Sequence, residues 1–217
     1  IHNSAANANH GTWYGTGGGT QTSVGTCTTS GTAWGNGASG KRNASLNFDG
    51  TDDYVNMGDP SSGVSDFGTS DFSISSWIKT TSSNTQIITG KYNGYPLWYQ
   101  RLDNGIFESR IASDASHNYE IKNGTAINDG LWHHLVTSYD RSGNMTRYVD
   151  GKLYGATTDI SAIVSTSVDN TNHFAIGAST GGSQFFTGQI DDVQIFNYAL
   201  TAQQIKTLYA GGAVNFR

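Results

Sequence analysis

Short apolar runs with a period of two, broken by turn residues, constrain this chain more than any other feature. From residue 44 onward they recur at roughly the 8–12-residue spacing of sandwiches and barrels. Phe72-Ser73-Ile74-Ser75-Ser76-Trp77-Ile78 shows the alternation most plainly, and a period of two puts Phe72 and Ile74 on one face. The pattern predicts strands at Ala44–Phe48, Tyr54–Met57, Phe72–Lys79, Gln86–Tyr92, Leu97–Leu102, Ile106–Ile111, Tyr119–Lys122, Trp132–Asp140, Met145–Val149, Lys152–Tyr154, Phe174–Ile176 and Asp191–Phe196. Asn104-Gly105 and Asp150-Gly151 suit hairpin turns that need positive φ at both central residues. Thr201-Ala202-Gln203-Gln204 reads as a capping box, followed by Ile205, Leu208 and Tyr209 at helical spacing and stopped by Gly211-Gly212. The expected fold is all-β, an antiparallel two-sheet sandwich with one short C-terminal helix.

A chain of 217 residues is long enough to bury its own core without disulfides. A single domain over 1–217 is expected, with a loop-rich N-terminal segment at 1–43 and a core sandwich at 44–210. The N-terminal segment carries Gly15-Thr16-Gly17-Gly18-Gly19 and one short strand at Gly11–Tyr14. Its Trp13, Tyr14 and Trp34 are unlike a flexible linker. Charge is scarce: only 13% of residues are charged and the net charge is −5. No basic cluster exceeds Lys41-Arg42, so a nucleic-acid footprint is absent. No apolar run is long enough to insert into a membrane. The one cysteine, Cys27, excludes a disulfide framework and a cysteine-rich zinc site.

Three stretches carry a resemblance. Leu46-Asn47-Phe48-Asp49-Gly50-Thr51-Asp52-Asp53-Tyr54-Val55 is the first. Gly130-Leu131-Trp132-His133-His134-Leu135 through Asp140, followed by Tyr148-Val149-Asp150-Gly151, is the second. Gly188-Gln189-Ile190-Asp191-Asp192-Val193-Gln194-Ile195-Phe196-Asn197-Tyr198-Ala199-Leu200-Thr201 is the third. In order and spacing they resemble the laminin-G-like jelly-roll domains of the concanavalin A-like lectin/glucanase superfamily. The likeness spans about Asn43 to Leu208 and implies two antiparallel sheets packed face to face. Relatives place another strand ahead of the Asn3-Ser4-Ala5-Ala6-Asn7 loop. Either it precedes this segment, or Ala213-Val214-Asn215-Phe216 supplies it. The resemblance further implies a structural Ca²⁺ joining the N-terminal loop to the last strand, with Asp49 and Asp191 as ligands and Asn3 or a nearby carbonyl as a third. Aspartates also serve as turn and amide caps, which is the plainer role open to Asp49 and Asp191.

Catalysis is not expected. Glycosidases need two carboxylates at set separations, and this chain has only two glutamates, Glu108 and Glu120, neither followed by an acid at strand spacing. Asp191 and Asp192, adjacent on a strand, point to opposite faces. His133-His134 reads as framework. The aromatic residues remain. Sugars present flat C–H faces to aromatic rings and hydroxyls to carboxamides. Tyr92, Tyr95 and Trp98, in Tyr92-Asn93-Gly94-Tyr95-Pro96-Leu97-Trp98-Tyr99, together with Tyr119, are the candidate ligand contacts. Trp77 and Trp132 are assigned to the core. The reading is a secreted or cell-surface carbohydrate-binding domain for a glycan or polysaccharide. The alternative is a structural or protein-binding head of a surface filament or adhesin, with a surface protein as partner. Asn43, Asn123 and Asn144 open N-x-S/T triplets, acceptors only in a host that glycosylates.

Overall fold

A computed structural model describes residues 11–15, 21–23, 26–27, 34–35, 40–42, 45–59 and 64–211, with backbone only for 21–23, 26–27 and 34–35. Asn3, Asn43 and residues 213–216 lie outside the described residues. The strands, in chain order, are β1 (Thr12–Tyr14), β2 (Gln21–Ser23), β3 (Thr26–Cys27), β4 (Trp34–Gly35), β5 (Ser45–Asp49), β6 (Tyr54–Asn56), β7 (Phe72–Lys79), β8 (Gln86–Lys91), β9 (Leu97–Asp103), β10 (Ile106–Ala112), β11 (Asn118–Ile121), β12 (His133–Tyr139), β13 (Asn144–Val149), β14 (Lys152–Leu153), β15 (Thr158–Asp159), β16 (Ala175–Ile176) and β17 (Thr187–Phe196). Helix α1 spans Ala202–Tyr209.

One sheet runs β1-β6-β16-β8-β9-β10-β11. The other runs β14-β13-β12-β7-β17-β5-β4, with β15 added against β13. Their strand pairs are antiparallel, as a jelly-roll sandwich requires. Alternation decides what lies between them. Phe72, Ile74 and Ile78 of β7 meet Trp98 and Leu102 of β9 and Phe107 and Ile111 of β10 in one core. The Phe72 ring is stacked between Phe67, at 3.8 Å, and Tyr139, at 4.1 Å. Gln100 crosses the gap, donating to Ile74 O at 3.1 Å and Thr137 Oγ1 at 2.9 Å.

The hairpin turns carry the backbone expected of them: φ is 50° and 75° at Asn104 and Gly105, and 51° and 73° at Asp150 and Gly151. Helix α1 begins with the predicted box. Gln204 N donates to Thr201 Oγ1 at 3.3 Å and Thr201 N to Gln204 Oε1 at 2.9 Å. Ile205 and Leu208 pack with Val136, Phe196 and Leu200 on the outer side of the β7 sheet. That side is therefore closed. Trp77 is buried there, not between the sheets, and stacks on Tyr209 at 5.7 Å. Trp132 is only partly buried, so its core assignment fails: it precedes β12 instead of lying within it.

Strand β17 starts four residues earlier than alternation predicts. Thr187-Gly188-Gln189 is polar, yet it pairs with Asp49-Phe48-Asn47 of β5. Near its middle it bulges: Asp191 stands opposite Trp77 and Gln194 opposite Ser75, one residue more than its partner. Asp192 takes up the bulge at φ 47°.

Candidate functional site

Among the described residues no helix lies on the outer side of the β8–β11 region, although Ile87, Leu97, Tyr99, Glu108 and Ala112 on that side are buried. Since Trp98, Gln100 and Leu102 of β9 point between the sheets, Tyr99 and Arg101 point away from them. The Asn104-Gly105 hairpin sets Arg101 opposite Glu108 and Tyr99 opposite Arg110, and β11 sets Glu120 opposite Arg110. One outward row of aromatic, cationic and carboxylate groups results.

Its bonds are specific. Arg101 Nε donates to Glu108 Oε2 at 2.5 Å and Arg101 Nη2 to Glu120 Oε1 at 3.2 Å. Tyr99 Oη also donates to Glu120 Oε1, at 2.9 Å. Arg110 Nε donates to Asn118 Oδ1 at 2.6 Å. The Tyr95 phenol accepts from Arg110 Nη2 at 3.4 Å and Asn118 Nδ2 at 3.3 Å. Burial pushes the Glu108 carboxyl up, against the pull of the Arg101 guanidinium. Burial also pushes the Tyr99 phenol well up. Gly90, whose Cβ would stand 2.7 Å from Tyr99 Cβ, leaves room for that ring on the neighbouring strand.

Two of the four expected ligand tyrosines and tryptophans lie on this face. Tyr95 is 45% exposed. Tyr92 is half-buried, its ring 4.8 Å from that of Tyr99. The other two do not. Trp98 is 0% exposed and packs against Phe67, Phe72 and Phe174. Its parity on β9 turns it to the core, so it cannot stack on a sugar. Tyr119 pairs with Ile111, shares its inward parity and packs against the core. The residues that sequence reading missed are Arg101, Arg110 and Asn118, and Tyr99, which at 0% exposure braces them instead of meeting a ligand. A signal was present: hairpin register alone places Arg101 against Glu108.

The loops at this end are tied by side chains. Lys91, 0% exposed, donates to Asp59 Oδ1 at 2.7 Å, Asp66 Oδ1 at 2.5 Å and Asn170 O at 3.0 Å. Asn172 Nδ2 donates to Asn93 O at 3.0 Å and Asn170 Nδ2 to Pro96 O at 2.8 Å. The turn carrying Tyr95 is thus held from both sides.

The expected calcium ligands do not converge. Asp49 pairs with Thr187 on β17, and Asp191 lies four residues further along that strand, about 13 Å away at 3.3 Å per residue. One ion cannot reach both. Asp191 is instead a backbone cap: its Oδ2 accepts from Arg42 N and its Oδ1 from Asp192 N, both at 2.7 Å. Asp49 is grouped with Asp52 and Asp53, with one oxygen of each within 4.8 Å of the others. Asp53 is 4% exposed. Its Oδ2 accepts from Asp49 N at 2.9 Å, but its buried Oδ1 has no hydrogen-bond partner. A Cβ on Gly15 would stand 1.9 Å from that oxygen. Burial raises the Asp53 carboxyl's pKa, and the charges of Asp49 and Asp52 add to the rise. An all-oxygen, strongly anionic set with an orphaned buried oxygen fits a hard cation such as Ca²⁺.

His133 and His134 are framework, as expected. His133 is held between Asp150, at 2.8 Å, and Asp129, at 3.1 Å. His134 is buried against Ser75 Oγ, at 2.8 Å, and the Trp77 ring, at 5.0 Å.

A sequence model described as the concanavalin A-like lectin/glucanases superfamily, of the laminin G type, matches residues 49–206. The chain belongs to that family. This laminin G-like chain is 28% identical over 156 residues to the "Sushi, von Willebrand factor type A, EGF and pentraxin domain-containing protein 1" of Rattus norvegicus. The match covers 68% of the chain and 4% of that protein. Among solved structures it is similar to the binding domain of Paraclostridial Mosquitocidal Protein 1, with a TM-score of 0.64 at 17% identity, over 79% of this chain and 44% of that one. It is also similar to the binding domain of botulinum neurotoxin DC in complex with rat synaptotagmin II, with a TM-score of 0.56 at 18% identity, over 80% of this chain and 41% of that one. At such identities the shared property is the laminin G-like fold. The chain spans less than half of either structure and a small part of the rat protein.

Proposed function

We propose that this chain is an extracellular, non-catalytic carbohydrate-binding domain stabilised by calcium. One observation carries the sugar-binding reading. Tyr95 is exposed, and its phenol is fixed by Arg110 and Asn118. A ring held in place beside side-chain amides and guanidinium groups is what a pyranose needs: a flat face to stack on and polar groups for its hydroxyls. Arg101 engages both glutamates of the face, which speaks for a binding role over acid–base work. Membership of the laminin G-like family and the fold shared with toxin binding domains support a binding module. Among the described residues no helix is long and apolar enough to cross a membrane.

The cation would be held by Asp49, Asp52 and Asp53. It would cross-link the end of β5 to the start of β6 and neutralise their carboxylates. Ligand that binds only the folded state raises stability by RT ln(1 + [L]/Kd). Thermal unfolding in Ca²⁺ and in EGTA tests this part: Ca²⁺ should raise Tm, and Asp53→Asn should remove the rise. Equal Tm values would sink the calcium site. A glycan array with the wild type and Tyr95→Ala tests the sugar. Binding lost in Tyr95→Ala at unchanged Tm supports it. An empty array would move the reading to a protein-binding surface head.

A further inference from the structure

We infer that the Tyr95 face takes an acidic glycan, with Arg110 holding the sugar's carboxylate; this rests on the carbohydrate reading above. The charges of the face do not cancel at Arg110. Arg101 is matched by Glu108 and Glu120, and Lys122 by Glu120 at 3.0 Å. Glu120 stands directly opposite Arg110 in the β10–β11 register, yet its two oxygens go to Tyr99, Arg101 and Lys122. Asp114, at the neighbouring β10–β11 turn, is taken by the His117 ring at 3.0 Å and by the amides of Ser116 and His117. Among the described residues no carboxylate lies within ion-pair distance of Arg110.

Neutral groups hold it instead. The Asn118 carbonyl and the Tyr95 phenol fix the guanidinium, with the Tyr99 ring 6.0 Å from it, and neither partner neutralises it. The fixed fork matches a carboxylate in geometry and charge. Tyr95 is joined to it by a hydrogen bond, so one sugar ring can rest on the tyrosine while its carboxylate meets the arginine. The chain as a whole is acidic, with a net charge of −5. An anionic ligand is therefore drawn to this face and not to the surface at large.

The test uses titration calorimetry on the full chain with three probes: a hexuronate tetrasaccharide, the same tetrasaccharide with its carboxyls reduced to alcohols, and a tetraglutamate peptide. The wild type should bind the acid at least tenfold more tightly than the reduced sugar, with affinity falling as salt rises, and should not bind the peptide. Arg110→Gln should bind both sugars alike. Arg110→Lys should recover part of the preference, since it keeps charge but loses the fork. Equal binding of the acid and reduced sugars by the wild type overturns the acidic-glycan inference and leaves the carbohydrate reading standing. Peptide binding as tight as that of the acid sugar overturns the inference in favour of an acidic protein partner. Absence of binding to any glycan removes both readings. The wild-type comparison decides the matter even where a variant fails to fold.

Discussion

Tyr99 Oη donates to Glu120 Oε1 at 2.9 Å, in a bond that passes over β10 to join β9 and β11. It links strands that share no ladder, and it holds Glu120 away from the arginine opposite. Tyr99→Phe removes the hydroxyl and keeps the ring. A hydrogen bond to a charged group contributes about 1.5–3 kcal/mol. Glu120 is partly exposed, so a loss of about 1–2 kcal/mol is expected. A lowered denaturant midpoint at constant m would show it.

Trp98 and Tyr95 should part company under substitution. Trp98→Ala opens a cavity in the inter-sheet core and should cost about 3–5 kcal/mol. Tyr95→Ala removes an exposed ring and should shift Tm by a degree or two at most, while lowering glycan affinity roughly tenfold, which corresponds to 1.4 kcal/mol. Tm and calorimetry on the two variants separate the roles. A Trp98→Ala chain as stable as the wild type would refute the burial that defines its part in the fold.

The adjacent histidines impose opposite pH slopes. Burial pushes His134 down to about 4, with the nearby Asp150, Asp192 and Arg42 charges as lesser influences. Its neutral form is favoured on folding, so its contribution is complete above the unfolded value near 6.5 and is lost as pH falls toward 4. The loss amounts to roughly 3 kcal/mol. His133 is raised, chiefly by its bond to Asp150 and against burial, with Asp129 adding to the rise. Its contribution is complete below 6.5 and is lost as pH rises through its folded value. Together they place a stability maximum near pH 6.5. Denaturant melts from pH 4 to 8 should show it, and His134→Gln should make the acid side shallower, leaving the part due to His173, which burial also lowers.

Lys91 is a buried cation held by two carboxylates and a carbonyl. Removing one member of a buried pair costs about 3–5 kcal/mol. Asp59 and Asp66 keep 34% and 26% side-chain exposure, so water would take up part of their charge. Lys91→Met should therefore destabilise by about 2 kcal/mol, and the effect should shrink in high salt. An unchanged melting curve would show that the clamp does not stabilise the fold.

Much of the fold was legible in the chain itself. Strand β7 was bounded to the residue because both its parity and its ends are marked, and the two positive-φ hairpins and the capping box announced themselves by composition. What escaped is instructive. The first half of β17 is polar and carries a glycine, Gly188, because a Cβ there would stand 2.3 Å from Lys79 O, so it gives no apolar alternation to read. Trp98 was misplaced because alternation separates it from Tyr99 without saying which of the two faces the other sheet. Asp49 and Asp191 were paired through resemblance, and only the β5–β17 register shows how far apart they stand. Burial of Lys91 depends on Asp59, Asp66 and Asn170, which lie far from it in sequence.

Arg42 has a mechanical consequence. Its amide is capped by Asp191, its Nε lies 3.1 Å from Asp192 Oδ2, and its Nη2 donates to Leu208 O at 3.2 Å. One residue thus rivets the chain ahead of β5 to the β17 bulge and to the end of α1. A pull applied between residue 42 and the end of α1 is borne by this short bridge and the β17 ladder behind it. The β9–β11 sheet edge lies off that load path, so tension carried through Arg42 would leave the surface around Tyr95 undeformed.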